Sequence, residues 1–144
     1  MDIRAKIKER LGEKISDWQE VNPRRVYFTI KKEDIVETVK FVFQDLSLRF
    51  STASGVDTPK GLEMLYHFSF DSAGEFYTVR TFIEDKKNPQ IDSITPLFPG
   101  AEWIERETWE MLGINFIGHP NLKRLLLADD WPQGDYPLRH QDES

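Results

Sequence analysis

Cysteine is absent from this sequence of 144 residues, and histidine occurs only three times. Without thiols the chain holds no disulfide, no thiolate zinc site, no cysteine nucleophile and no Fe–S cluster of its own. His67, His119 and His140 lie in separate segments, without HxxxH or HExxH spacing. The phosphate-binding patterns GxGxxG and GxxxxGK[ST] are absent too. The sequence therefore predicts a chain that binds neither a metal nor a nucleotide.

Long apolar runs and an excess of basic residues are also missing. No run approaches the roughly 20 apolar residues that span a bilayer, and the charged N-terminus lacks the apolar core of a signal peptide. The net charge of −6 disfavours nucleic-acid binding, since phosphate neutralisation supplies most of that affinity. Residues 101–144 carry four basic and nine acidic side chains. This acidic third either faces a basic protein surface or is simply solvated.

Hydrophobic periodicity predicts alternating helices and strands over residues 2–83. Ile3, Ile7, Leu11 and Ile15 recur at helical spacing, whereas the segment RVYFTI has the β-branched and aromatic residues of a strand. The predicted elements are helix 2–15, strand 25–30, helix 32–45, strand 46–54, a turn at 55–61, strand 62–70 and strand 76–83. This order favours a single α+β domain with a mixed or antiparallel sheet and helices on one face.

A third helix is predicted over residues 101–112, with Gly113 at the position of a C-terminal cap. Trp103, Ile104, Met111 and Leu112 are expected to share one face. Arg106 lies four residues from both Glu102 and Glu110, the spacing of helical ion pairs. Taken alone, the segment Glu105-Arg106-Glu107 is typical of a solvated helix face.

The chain after Gly113 has no regular period beyond Leu127, yet it carries several aromatic residues. Such a segment either folds back onto the sheet or lies on another protein, where Trp and Tyr are preferred anchors. Composition alone leaves both interpretations open. We predict a core domain at 1–127 and an extended tail at 128–144 that binds a partner.

Residues 91–139 resemble a known family. The resemblance is carried by the segment WIERETWEMLGI at 103–114, the GHP turn at 118–120, the basic pair before a leucine run, and the segment DYPLR at 135–139. These motifs are similar to the 30-kDa subunit family, which supplies a core subunit of respiratory complex I, the NADH dehydrogenase of the respiratory chain. The family also supplies the small companion subunit of membrane-bound, energy-converting nickel–iron hydrogenases. Glu110 stands where the family usually has Asp, Leu112 where it has an aromatic residue, and His140 where a lysine is common.

The resemblance implies a non-catalytic subunit of a larger oxidoreductase. Members of this family carry no flavin, Fe–S cluster or quinone site. They pack against the 49-kDa subunit, a relative of the hydrogenase large subunit, in the peripheral arm near the membrane. We therefore expect Fe–S clusters in partner subunits only, no active site in this chain, no nucleic acid, and indirect attachment to the cytoplasmic face of the cell membrane. The same relationship favours the tail as a partner-binding strap.

The resemblance also implies which residues meet the partner. Basic residues are expected to pair with carboxylates or carbonyls, partly across the interface, because an arginine fork orients such contacts. Glu105 and Glu107 either receive partner arginines or support Arg106. His119, before Pro120, is expected to be a hydrogen-bonded turn residue. The predicted partner-binding residues are Glu105, Arg106, Glu107, His119, Lys123, Arg124, Trp131, Tyr136, Leu138 and Arg139.

Three alternatives remain at this point. The chain could be the equivalent small subunit of an energy-converting hydrogenase or a formate hydrogenlyase. It could be a free-standing α+β binding module. A small hydrolase using Glu105, Glu107 or Glu110 is disfavoured, because residues two apart on a helix point to different sides.

Overall fold

The computed structural model describes residues 2–97, 99–122 and 136–139. Within them the chain forms three α-helices and seven β-strands. The helices are α1 (Ile3–Leu11), α2 (Ile35–Lys40) and α3 (Glu102–Leu112). The strands are β1 (Asp17–Asn22), β2 (Arg25–Thr29), β3 (Arg49–Thr58), β4 (Gly61–Phe70), β5 (Glu75–Ile83), β6 (Gln90–Asp92) and β7 (Asn115–Ile117). The α+β fold predicted from the sequence is confirmed.

The main sheet has five strands in the order β1-β2-β5-β4-β3. Strand β1 pairs antiparallel with β2, whereas β2 pairs in parallel with β5, so the sheet is mixed. Val26 lies opposite Tyr77 and Phe28 opposite Val79, and these four side chains are buried together on one face. The short strands β6 and β7 form a separate parallel pair.

Helix α1 begins where the sequence predicts it. The Asp2 side chain accepts a hydrogen bond from the Ala5 amide at 3.1 Å, which satisfies one of the free N–H groups of the first turn. Ile3, Ile7 and Leu11 are buried at i, i+4 and i+8. The Lys8 ammonium lies 4.5 Å from the centre of the Trp18 ring, which in turn stacks on Phe28. Helix α1 thus covers the buried face of β1 and β2.

The predicted helix at 32–45 is helical throughout but not uniform. A 3₁₀ turn at Lys32–Asp34 leads into α2, and a π-helical turn follows at Phe41–Asp45. The amide of Leu46 donates to the carbonyl of Phe41, at 3.0 Å, which closes the wider turn. Ile35, Val39 and Val42 form the buried stripe, as their spacing predicts.

Three strand predictions differ from the structure. The sequence predicts a polar loop where β1 lies, because the pattern of this strand is almost entirely exposed and lacks alternation. Strand β7 falls in a segment predicted to be irregular. The predicted turn at 55–61 is wrong in its first part, since β3 continues to Thr58 and only the next residues turn into β4.

Gly55 accounts for the error in β3. A Cβ atom at this position would lie 2.5 Å from Cδ1 of Leu112 and 2.9 Å from Cγ2 of Thr108. The glycine therefore lets the strand approach helix α3 closely and does not mark a turn. One glycine codes for both features, so the sequence alone does not distinguish them.

Close contacts divide the chain into two compact units. The first comprises the described residues of Met1–Ala53 and Leu65–Thr81, with α1 and α2. The second comprises the described residues of Ser54–Met64 and Phe82–Ser144, with α3, β6 and β7. The predicted division into a core at 1–127 and a tail at 128–144 depends mostly on residues outside the described ranges.

Candidate functional site on helix α3

Helix α3 lies in the segment that carries the family resemblance, and it ends as predicted. Gly113 adopts φ = 78°, the left-handed conformation of a helix cap, and its amide donates to the carbonyl of Trp109 at 2.8 Å. The buried residues of the helix are Glu105, Arg106, Thr108, Glu110 and Leu112. The solvated face predicted for the ERE segment is therefore wrong for Glu105 and Arg106, while Glu107 is exposed.

The Glu105 carboxylate is bonded inside the chain. Its residue is only 1% exposed, and its oxygens accept from the amide of Ile94 at 3.0 Å and the hydroxyl of Thr95 at 2.6 Å. The hydroxyl of Ser93 donates to the same carboxylate. These bonds compensate the cost of burying a carboxylate and hold residues 93–95 against the helix. Glu105 thus serves the internal frame of this unit, and its side chain is not displayed to solvent.

Arg106 is buried beside an exposed tryptophan. Its guanidinium carbon lies 5.2 Å from the centre of the Trp103 ring, within the range of a cation–π contact. Trp103 is nevertheless 59% exposed. Arg106 therefore supports the indole from below and fixes its position on the surface.

His119 is hydrogen-bonded at both ring nitrogens. Nδ1 accepts from the amide of Asn121 at 2.9 Å, so Nε2 carries the proton and donates to the carbonyl of Glu102 at 3.0 Å. The imidazole thus ties the chain after β7 to the first turn of α3. This geometry agrees with the turn residue expected before Pro120.

Residues 136–139 are attached to the C-terminal end of α3. The amide of Leu138 donates to the carbonyl of Met111 at 3.0 Å, and Nε of Arg139 donates to the carbonyl of Leu112 at 2.6 Å. The Tyr136 ring packs so closely on Gly113 that a Cβ there would be 2.4 Å away. A cation at the carbonyl end of a helix is favoured by the helix dipole. Of the predicted tail, these four residues bind their own domain.

The outer side of α3 forms a continuous surface that the sequence analysis missed. Trp103, Glu107 and Met111 follow at i, i+4 and i+8, and Leu138, 58% exposed, extends the line beyond the helix end. We call these four residues the outer stripe. The expected shared face of Trp103 and Leu112 is wrong, because nine residues at 100° each place them on opposite sides. Helical spacing alone would have revealed this.

The remaining predicted site residues lie outside the described ranges. These are Lys123, Arg124 and Trp131. Among the described residues, no group of three or more His, Cys, Asp or Glu side chains could hold a metal ion. In the same ranges, the helices are too short and too polar for any of them to cross a membrane.

Comparison with known sequences finds one family throughout. Residues 28–143 match the family described as respiratory-chain NADH dehydrogenase, 30 Kd subunit. An NADH-quinone oxidoreductase subunit of Chloroherpeton thalassium is 37% identical over 92% of this chain and 56% of its own length. The subunit of the same name in Citrifermentans bemidjiense is 36% identical over 96% of this chain and 89% of its own length. The chain thus spans about half the length of several relatives it matches, including those from Nocardioides and Salinispora tropica.

Two solved structures share the fold. A chain of the archaeal membrane-bound sulfane sulfur reductase, a respiratory membrane complex, superposes with a TM-score of 0.80, covering 95% of this chain and 81% of its own at 24% identity. The trypsin-resistant fragment of Nqo5 gives a TM-score of 0.71, covering 85% of this chain and all of the fragment at 19% identity. The family match and the 36–37% identical relatives agree with the motifs on α3 and at 135–139. On these findings the chain belongs to the 30-kDa subunit family of respiratory-chain NADH dehydrogenase.

Proposed function

We propose that this chain is a non-catalytic subunit in the peripheral arm of a complex I-like NADH:quinone oxidoreductase. In this role it docks on the 49-kDa subunit, related to the hydrogenase large subunit, and keeps that subunit in place for electron transfer. The Fe–S clusters reside in partner subunits, and membrane attachment at the cytoplasmic face is indirect. The curated relatives are all named as the same subunit of NADH-quinone oxidoreductase, which supports this assignment.

The observation that carries the proposal is the outer stripe. One side of α3 is fixed by the buried bonds of Glu105, while the other displays Trp103 and Leu138, both more than half exposed, at its two ends. Exposed Trp and Leu on a rigid helix are typical of an interface, since their ordering costs little further entropy on binding. The stripe is thus preformed for docking.

The first experiment places a tag at the N-terminus of the full chain and purifies its assembly from source membranes in mild detergent. We expect to recover a hydrogenase-large-subunit-like protein together with Fe–S subunits. Trp103→Ala should weaken that association by about 30-fold, corresponding to about 2 kcal/mol for an interface hot spot. Leu138→Arg should reduce recovery at least as strongly, because it places a charge in the apolar stripe.

Val21→Arg is the matched control for Leu138→Arg. Val21, in strand β1, is 60% exposed, so both substitutions add the same charge at equal exposure. The control should assemble like the wild type, and thermal unfolding of each isolated variant should show that the fold is retained. Normal assembly of folded Leu138→Arg would contradict docking through the outer stripe.

The recovered partner also separates the alternatives. A large subunit that retains nickel-binding cysteines would indicate the hydrogenase-type role, for which the fold match to the sulfane sulfur reductase complex is one reason to test. A large subunit without those cysteines supports the quinone reductase. Recovery of the chain alone, as a monomer, would favour a free-standing α+β module and overturn the proposal.

A further inference from the structure

The first unit of the chain has a sheet face that its helices leave open. Side chains alternate along β2, so Val26 and Phe28 are buried beneath α1 while Arg25 and Tyr27 point to the opposite face. In β5, Phe76 lies opposite Arg25 and shares that open face. Phe76 is 39% exposed although it is a large aromatic residue.

Two arginines meet at one end of this face. The amide of Phe76 donates to the carbonyl of Arg24 at 2.7 Å, which joins the start of β5 to the β1–β2 turn. The Arg25 guanidinium lies 4.7 Å from the centre of the Phe76 ring, and Arg24 extends beside the β4–β5 turn at Gly74. We call Arg24, Arg25, Tyr27 and Phe76 the basic sheet end.

The acidic residues near this end are engaged elsewhere. Asp71 is bonded to Arg49 at 2.9 Å, and Glu75 accepts from the Tyr77 hydroxyl at 3.2 Å. Within the part of the chain that the structure describes, no carboxylate forms an ion pair with Arg24 or Arg25. A pair of uncompensated arginines is a specific feature in a chain of net charge −6.

We propose that the basic sheet end binds an acidic segment of a partner protein, with carboxylates on Arg24 and Arg25 and an apolar side chain on Phe76 and Tyr27. An arginine stacked on an aromatic ring keeps its N–H fork free for a carboxylate and is already ordered before binding. Aromatic residues and arginines are also the side chains most enriched in interface hot spots. A nucleic-acid ligand is disfavoured because two arginines neutralise few phosphates and the rest of the chain is acidic.

His67 offers an independent readout at the same site. Its Nδ1 atom lies 2.9 Å from the Thr78 hydroxyl on the open face, and burial together with the charge of Arg25 lowers the pKa of its imidazole. A carboxylate bound to Arg25 would offset that positive charge. The pKa of His67 should therefore rise when the acidic segment binds.

The test replaces Phe76 by the photo-crosslinking residue p-benzoylphenylalanine in the full chain. Irradiation of intact source cells, before lysis, captures contacts whether or not the assembly survives purification. Mass spectrometry should identify one partner segment that carries at least two carboxylates near an apolar residue. The same crosslinker at Gln19, an exposed position facing Tyr27 in the neighbouring strand, serves as a second variant if the first does not fold.

Charge reversal then tests the role of the arginines. Arg24→Glu with Arg25→Glu should lower the crosslink yield about tenfold or more, whereas Lys31→Glu with Lys60→Glu, which makes the same change in net charge at other exposed positions, should leave it within twofold. A synthetic peptide of the captured segment should raise the pKa of His67 in an NMR titration of the full chain.

Several outcomes would overturn the proposal. These are capture of nucleic acid or lipid alone, capture of a segment without carboxylates, equal loss in both double variants, or no crosslink from either position. The outcome is separate from that of the proposed function, since docking through the outer stripe is judged by Leu138→Arg, at a different surface.

Discussion

At the scale of single residues, the buried carboxylate of Glu105 determines how α3 is held. It accepts hydrogen bonds from one amide and two hydroxyls within residues 93–95 and is almost fully excluded from water. A hydrogen bond to a charged group contributes about 1.5–3 kcal/mol, and losing an acceptor leaves buried donors unsatisfied. This residue therefore affects stability far more than its neighbour Glu107.

Glu105→Gln should lower the free energy of unfolding by about 2–3 kcal/mol, because an amide group accepts fewer hydrogen bonds and carries no charge. Glu107→Gln is the matched control two residues away, and its exposed side chain should change stability by less than about 0.5 kcal/mol. Urea denaturation of the isolated chain measures both. Equal stabilities of the two variants would show that the Glu105 bonds contribute little.

The sequence could predict the type of residue at this site but not its environment. The ERE segment shows ion-pair spacing whether it is exposed or buried, and the Ser and Thr partners of Glu105 lie ten to twelve residues upstream. Since their contact depends on the path between β6 and α3, no local pattern reveals it. Charged residues in a helix are most often solvated, and that general rule fails here.

At the scale of elements, strongly periodic segments were predicted well and short or flat ones were not. Helix α1, helix α3 and strands β2, β4 and β5 carry apolar stripes, so their existence follows from the spacing. Strand β1 has hardly any buried residue because it lies at the sheet edge, where pairing with β2 and not burial makes it a strand. Strand β7 is defined by β6, far away in sequence.

The contact between β3 and α3 gives an element-scale prediction. Gly55→Ala should destabilise the chain by about 1–3 kcal/mol, since its Cβ would overlap side-chain atoms of Leu112 and Thr108. Gly100→Ala is the control, because an added Cβ meets no atom within 4 Å there. Thermal unfolding should show a lower melting temperature for the first variant alone.

The shorter side chain of Leu112→Ala should partly relieve the clash, so the double variant with Gly55→Ala should be more stable than the sum of the two single effects predicts. If Gly55→Ala unfolds at the same temperature as Gly100→Ala, the strand and helix do not approach as closely as the distances indicate.

At the scale of the whole molecule, the chain combines no catalytic inventory with two differently composed surfaces. The outer stripe is largely apolar and follows from the motif segment, so the family resemblance could direct attention to it. The basic sheet end combines residues from β2 and β5, some fifty positions apart, and only the parallel pairing brings them together. Sequence patterns find sites built from one segment, whereas sites built across a sheet require its topology.

The proton balance of the folded molecule provides the last prediction. Burial, and secondarily the charge of Arg25, lowers the pKa of His67 below its ordinary value of 6.5. Below pH 6.5 the unfolded chain therefore binds more protons at this site than the folded chain. Stability should be full above pH 6.5 and fall as the pH decreases through the lowered pKa. The lowered pKa of Asp71 acts in a separate range, below about pH 4.

Urea denaturation between pH 7.5 and 5.5 measures this effect as a slope, which does not depend on how stable each variant is. His67→Gln should flatten the slope, because the side chain no longer titrates. Arg25→Gln should reduce it only in part, since burial, the larger cause, remains. If the slope of His67→Gln equals that of the wild type, other groups govern the loss of stability. In that case the lowered pKa of His67 plays no part in how the folded chain responds to mild acid.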